Sequence, residues 1–258
     1  MGMQMKPQFV DWQAGDGLGR LTLKRPPLNI INIAMLQEIC AALDALGAAA
    51  NEKTLRALVV CAEGKMFSAG VDVADHTPDK VGEMIPLFDR ACAALSAFPI
   101  PTVAAVHGHA LGGGCELALC CDLIIAAEGA NFGQPEIKLA TIAPVAALRL
   151  PSLIGYRRAA EMLFTGESVG AAEAARIGLI NRAVPVDQLD QAVDALTAKL
   201  CALSAAALRV CKSAVRPGAS LDIAQIENLY LADLMSTADA REGVAAFIEK
   251  RAPVWKNK

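Results

Sequence analysis

Thr102-Val103-Ala104-Ala105-Val106 runs into His107-Gly108-His109-Ala110-Leu111-Gly112-Gly113-Gly114-Cys115-Glu116, and from there through residues 117–121 and Asp122 to Leu123-Ile124-Ile125-Ala126-Ala127. The first five residues are a short apolar run of the kind that forms a buried strand. The glycine-bearing turn then opens an apolar helical segment, and a second buried strand follows. Strand, turn, helix and strand in this order are the pattern of an α/β protein.

Upstream, residues 9–12 and 20–23 read as two strands about a Gly15-Asp16-Gly17 turn, and Arg25-Pro26-Pro27 ends the second because proline donates no ladder hydrogen bond. Ile33, Leu36, Ile39, Leu43 and Leu46 recur at helical spacing, which predicts a helix over residues 33–50 with Asn32 as its N-cap. Residues 55–61 read as a further buried strand. From residue 157 onward the pattern becomes helices joined by short turns, at 157–163, 171–177, 186–202, 205–215, 221–235 and 240–251, with no strong strand beyond 181–184. The expected organisation is an α/β core over residues 1–200 and a helical C-terminal region over 201–258.

Composition narrows the function classes. With 258 residues and 54% hydrophobic content the chain can bury a substantial core, while aromatic residues make up only 4%. A net charge of −3 with dispersed Lys and Arg gives no general attraction to phosphate backbones, so nucleic acid is not an expected partner. Eight cysteines are scattered without a Cys-x-x-Cys pair, which fits reduced thiols and a cytoplasmic protein. Every long apolar stretch is interrupted by a charge, Gly or Pro, so neither export nor membrane insertion is expected.

Two glycine-bearing turns and two carboxylates carry the chemistry. Phe67-Ser68-Ala69-Gly70-Val71-Asp72 follows one strand, and Gly112-Gly113-Gly114 follows another. Glycine there lets backbone N–H groups approach a ligand, although a glycine run is equally a tight turn. Glu116 sits among Cys115, Leu117, Ala118, Leu119 and Cys120, where a carboxylate is costly to bury and a functional role follows. Glu136, after Asn131-Phe132-Gly133-Gln134-Pro135, could from position alone be a surface acid. His107 and His109 have His-x-His spacing without an accompanying ligand set, so no metal is expected. Asp72 and Asp122 suit caps or buried hydrogen bonds; Asp75 and His76 fall in a loop and are not expected to be catalytic.

Taken together, Phe67-Ser68-Ala69-Gly70-Val71-Asp72, Gly112-Gly113-Gly114-Cys115-Glu116-Leu117-Ala118, Cys121-Asp122 and Phe132-Gly133-Gln134-Pro135-Glu136 resemble the enoyl-CoA hydratase (crotonase) family. The likeness continues through Glu161-Met162-Leu163-Phe164-Thr165-Gly166, Ala172-Glu173-Ala174 and Gly178-Leu179-Ile180-Asn181 to Phe247-Ile248-Glu249-Lys250-Arg251. It implies a spiral of ββα units whose C-terminal helices assemble a homotrimer or homohexamer. It also implies a hydratase with no separate cofactor, CoA being part of the substrate.

By motif position the resemblance makes the N–H groups of Ala69 and Gly113 an oxyanion hole and Glu116 and Glu136 the acid/base pair. Phe67, Gly70, Val71, Asp72, Gly112, Pro135 and Pro144 are expected against the substrate. Arg25 and Lys65 are candidates for contact with the CoA phosphates or adenine, as are Lys250, Arg251 and Lys256, each more readily read as solvated charge. Where straight-chain hydratases carry a glycine-rich segment, this chain has Thr141-Ile142-Ala143-Pro144-Val145-Ala146-Ala147-Leu148, which together with Val71-Asp72-Val73-Ala74-Asp75-His76 and Asp79-Lys80-Val81 resembles the hydratases acting on cyclic dienoyl-CoA. Isomerase or thioester hydrolase chemistry on the same fold, and a binding subunit with a degenerate site, are the alternatives.

Overall fold

The computed structural model describes residues 7–52, 55–215 and 222–257. Strands β1 (Val10–Gly15) and β2 (Leu18–Leu23) form an antiparallel hairpin, and α1 (Ile33–Asn51) returns the chain to β3 (Ala57–Ala62), which lies parallel to β2. The side chain of Asn32 accepts the Met35 N–H at 2.9 Å, capping α1 as its sequence predicts. Helix α2 (Val81–Ser96), which the sequence pattern did not single out, leads into β4 (Thr102–Val106). After β5 (His109–Leu111) and α3 (Gly113–Leu119) comes β6 (Leu123–Ala127).

β7 (Asn131–Gly133), a 3-10 turn (Pro135–Leu139), α4 (Pro144–Ile154), α5 (Tyr156–Thr165), β8 (Ser168–Gly170), α6 (Ala171–Arg176) and β9 (Arg182–Val184) follow. The chain then runs through α7 (Leu189–Cys201), α8 (Ala205–Val215), α9 (Ile223–Asn228), a π-helical turn (Leu229–Leu234) and α10 (Ala238–Ile248). Position 221, where the sequence pattern starts a helix, lies outside the described residues. The six-stranded sheet has the order β1-β2-β3-β4-β6-β9, and β5-β7-β8 form a smaller sheet. A three-residue strand such as β8 is too short to show a period, so the expectation of helix alone between residues 157 and 181 is corrected here.

The apolar strands are explained by burial on both sides. Side chains alternate along a strand, so Leu58, Val60, Ala104, Val106 and Ile124 face one side, against α1 and α2. Val59, Val103, Ala105 and Ile125 face the other, against Leu189 and Val193 of α7. Helix α1 is long and apolar enough to cross a membrane, yet Leu36, Ile39, Leu43 and Leu46 are buried in the first of these layers. Each such side chain contributes about 1.5–3 kcal/mol through its removal from water. The site is thereby placed at one end of the parallel strands, where the loops after β3 and β4 emerge.

Candidate active site

The loop after β3 is clamped from beneath. Buried Asn29 donates through Nδ2 to the carbonyls of Glu63 and Met66 at 2.6 and 2.8 Å, and the Ser68 hydroxyl donates to the Asn29 carbonyl at 2.7 Å. Further along, Ile31 N–H donates to the Gly70 carbonyl at 2.9 Å and Asp72 N–H to the Ile31 carbonyl at 2.8 Å. Gly70 and Asp72 therefore face Ile31, and alternation turns the intervening Val71 N–H to the opposite side, towards the glycine turn. Gly113 begins α3, so its N–H has no intrahelical acceptor. The two loops pack closely: a Cβ on Gly70 would lie 3.7 Å from the Gly113 nitrogen, and one on Gly113 2.6 Å from Cγ2 of Val71.

This geometry corrects the oxyanion assignment drawn from the motif. Ala69 lines the cleft, but its N–H is spent on the Leu28 carbonyl at 2.9 Å. Among the described residues, Val71 and Gly113 border the cleft with main-chain N–H groups that have no acceptor. Which face of the loop each N–H occupies depends on the bridge between Ile31 and Val71, a contact over forty positions that the motif does not encode.

Glu116 and Glu136 reach the same cleft from different elements. Glu116 projects from α3 with only 3% exposure, and its Oε1 accepts the Ala146 N–H of α4 at 2.9 Å. Burial pushes its carboxyl up to about 8, opposed by that N–H and reinforced by the neighbouring Glu136. Glu136 stands on the 3-10 turn, whose far end closes at Ala140 in the left-handed conformation. Burial raises its carboxyl too, against its own backbone N–H and the charge of His76. Its Oε2 is buried without a hydrogen-bond partner among the described residues. Its Oε1 lies where a Cβ on Gly112 would fall, and Gly112 holds φ +52°, ψ −130°, so glycine is required there twice over.

The cleft itself is small, about 110 Å³, walled by Val73, Met84, Ile85 and Phe88 on one side and Leu139, Ile142 and Pro144 on the other. A larger groove of about 710 Å³ lies between Phe98 and Asn228, but neither glutamate borders it. Two carboxylates and two main-chain donors around one apolar cleft can hold a developing oxyanion while protons move on and off carbon.

The remaining residues chosen from sequence divide. Gly70, Val71, Gly112, Gly113, Pro135 and Pro144 line the cleft. Phe67 does not: it is fully buried in the core, because the strand-like alternation around it turns its ring inward. Asp72 caps the short turn at Val73–Asp75 by accepting the Ala74 N–H at 3.1 Å and pairs with Arg25 at 3.5 Å. Arg25 also donates to the Ile30 carbonyl at 2.6 Å, so this pair braces the loop. Lys65 is exposed, as are Lys250 and Lys256, and Arg251 is bound to Glu242 and Glu249. His107 Nε2 meets the Gly64 carbonyl at 3.1 Å, and His109 Nδ1 lies 3.3 Å from the Asn131 amide. Asp122 accepts from Thr102 N–H and hydroxyl and pairs with buried Lys212 at 2.7 Å, joining α8 to the sheet. Sequence reasoning missed Leu139 and Met84 as cleft walls and set His76 aside.

Comparison with known proteins places the chain in a family. Residues 13–258 match the family model for enoyl-CoA hydratase/isomerase. Cyclohexa-1,5-dienecarbonyl-CoA hydratase of Thauera aromatica is 39% identical over 254 residues, covering 96% of each chain. The crystal structure of an enoyl-CoA hydratase from Bacillus anthracis superposes with a TM-score of 0.90 at 31% identity, covering 97% of this chain and 100% of that one. One from Mycobacterium smegmatis gives 0.88 at 32% identity, covering 96% and 99%. With the match running from the first hairpin to the C-terminus and the crotonase fold shared throughout, this chain belongs to the enoyl-CoA hydratase/isomerase family.

Proposed function

We propose that this protein is a hydratase adding water to the conjugated double bond of a cyclic dienoyl-CoA thioester. Attack of water on the β-carbon drives charge onto the thioester oxygen, and the N–H groups of Val71 and Gly113 receive it; one such donor is worth roughly 3–4 kcal/mol. One glutamate takes a proton from water and the other delivers one to carbon. The observation that carries this reading is that Glu116 and Glu136 border one cleft with both open donors. Burial pushes Glu116 up to about 8, so in the free enzyme at neutral pH it holds a proton, the condition for serving as the donor. An isomerase needs to move only one proton and leaves a second buried carboxylate without a task.

The cyclic acyl group is supported by the cleft wall and by the substrate in the name of the relative from Thauera aromatica. Pro144 stands in that wall and the backbone around Ala143 and Ala146 is buried, so the wall is stiff and apolar, suited to a flat ring. CoA enters as part of the substrate. The exposed apolar side chains of Leu148, Phe164 and Phe247 support assembly as a trimer or hexamer, with the C-terminal helices as part of the contact. The deciding experiment compares kcat/KM for cyclohexa-1,5-diene-1-carbonyl-CoA with that for crotonyl-CoA. A ratio above ten is expected; one methylene of fit is worth only about 1–3 kcal/mol, so weak crotonyl-CoA turnover is compatible. An equal or reversed ratio removes the cyclic reading and leaves a general enoyl-CoA hydratase.

A further inference from the structure

Among the described residues His76 is the one other titratable side chain on the cleft wall, and the loop carrying it is built to hold it there. Asp72 caps the turn that ends at His76, while buried Asp75 accepts the Ile33 N–H at 3.0 Å and pairs with Lys80 at 3.3 Å. The imidazole Nδ1 lies 3.0 Å from the Asp72 carbonyl. A carbonyl only accepts, so Nδ1 keeps its proton in either charge state, and Nε2, which carries a second N–H in the imidazolium form, is left to the cleft. Glu136 lines the same cleft, and its buried Oε2 has no hydrogen-bond partner among the described residues.

The charges around His76 are otherwise occupied. The carboxylates of Asp72 and Asp75 are turned to Arg25 and Lys80, and Glu116 accepts from Ala146. The facing side chains of Met84, Ile85 and Phe88 from α2, and of Leu139, Ile142 and Pro144, carry no charge. That leaves Glu136 as the cleft carboxylate with a buried oxygen unpartnered among the described residues.

We propose that His76 is a positioning residue of the acid/base pair, anchored through Nδ1 on the Asp72 carbonyl and presenting its ring to Glu136 so as to steady that carboxylate's charge and orientation. The inference rests on the reading of Glu136 as an acid/base group. A cation there opposes the burial that raises Glu136, so its removal lets the carboxyl rise further.

The test is the pH dependence of kcat/KM for wild type, E136Q and H76N, with whichever of the two thioesters above is turned over. Asparagine can retain the bond to the Asp72 carbonyl while removing the charge. The limb absent from E136Q identifies Glu136; in H76N that same limb is expected to move to higher pH, with kcat/KM down about tenfold at neutral pH and KM little changed. An H76N profile with the limb unmoved, whatever its rate, overturns the proposal and leaves His76 as a wall of the cleft. Persistence of both wild-type limbs in E136Q overturns instead the acid/base reading of Glu136. Should H76N fail to fold, the Glu136 carboxylate stretch, isolated as the wild-type minus E136Q infrared difference, is titrated in wild type and in H76Q. A midpoint unchanged in H76Q also overturns the proposal.

Discussion

A carboxyl group whose proton is held up to about 8 ties the chemistry of Glu116 to the stability of the fold. Between its ordinary value of 4.5 and about 8 the folded state keeps a proton that the unfolded chain has released. The stabilisation is therefore complete below 4.5 and is lost as pH rises through 8. Glu116→Gln keeps an acceptor for the Ala146 N–H and has no charge to bury. Thermal melts should show Glu116→Gln gaining on wild type as pH rises, by a few kcal/mol at pH 9 and by nothing near pH 4.5. Turnover should move the other way, falling roughly 10²–10⁴ in Glu116→Gln and in Glu136→Gln with thioester affinity retained. Near-normal turnover in either variant would take that residue out of the mechanism. Glu116 was legible in the sequence because a carboxylate inside an apolar run has few reasons to be there. Glu136 was legible only through the motif around it, and the donor at Val71 was not legible, since a main-chain N–H has no letter of its own.

At the scale of elements, the reading succeeded where periodicity extends over several turns or where an apolar run is closed at both ends. Strands β4 and β6 and helix α8 have the bounds expected from sequence, and α1 differs by one residue. Helix α2 escaped because Gly82 and Pro86 obscure its apolar face, and β5, β7 and β8 escaped because three residues cannot display alternation. The turn into α3 invites a direct test. Gly112→Ala forces a Cβ into the place of the Glu136 carboxylate and a backbone conformation that side chains avoid, so kcat/KM is expected to fall at least about 10²-fold. Circular dichroism should remain near wild type, since the disturbance is local. Lys212→Met tests the tie between α8 and the sheet: it removes the ion pair with Asp122 and the bond to the Ile100 carbonyl and is expected to cost roughly 3 kcal/mol in urea unfolding, with little effect on KM.

For the molecule as a whole, exposure of Phe247 at 85% and Leu148 at 80% is more apolar surface than isolated side chains explain. Light scattering is expected to give three or six times the chain mass, and Phe247→Glu to lower it; a wild-type monomer at micromolar concentration would remove the assembly reading. Such surfaces are visible only after folding, because Phe247 and Leu148 sit on helices whose partners lie in no single stretch of sequence. The division of labour within the site has a further consequence. Both open donors belong to the main chain, so no codon change at position 71 or 113, short of one that introduces proline, deletes an N–H. Positions 116, 136 and 76, by contrast, are each one nucleotide change away from a different acid/base outfit. On the proposed mechanism, a gene lineage carrying this fold can therefore exchange reactions one side chain at a time while keeping its grip on the enolate, and directed evolution of this chain has the same three dials to turn.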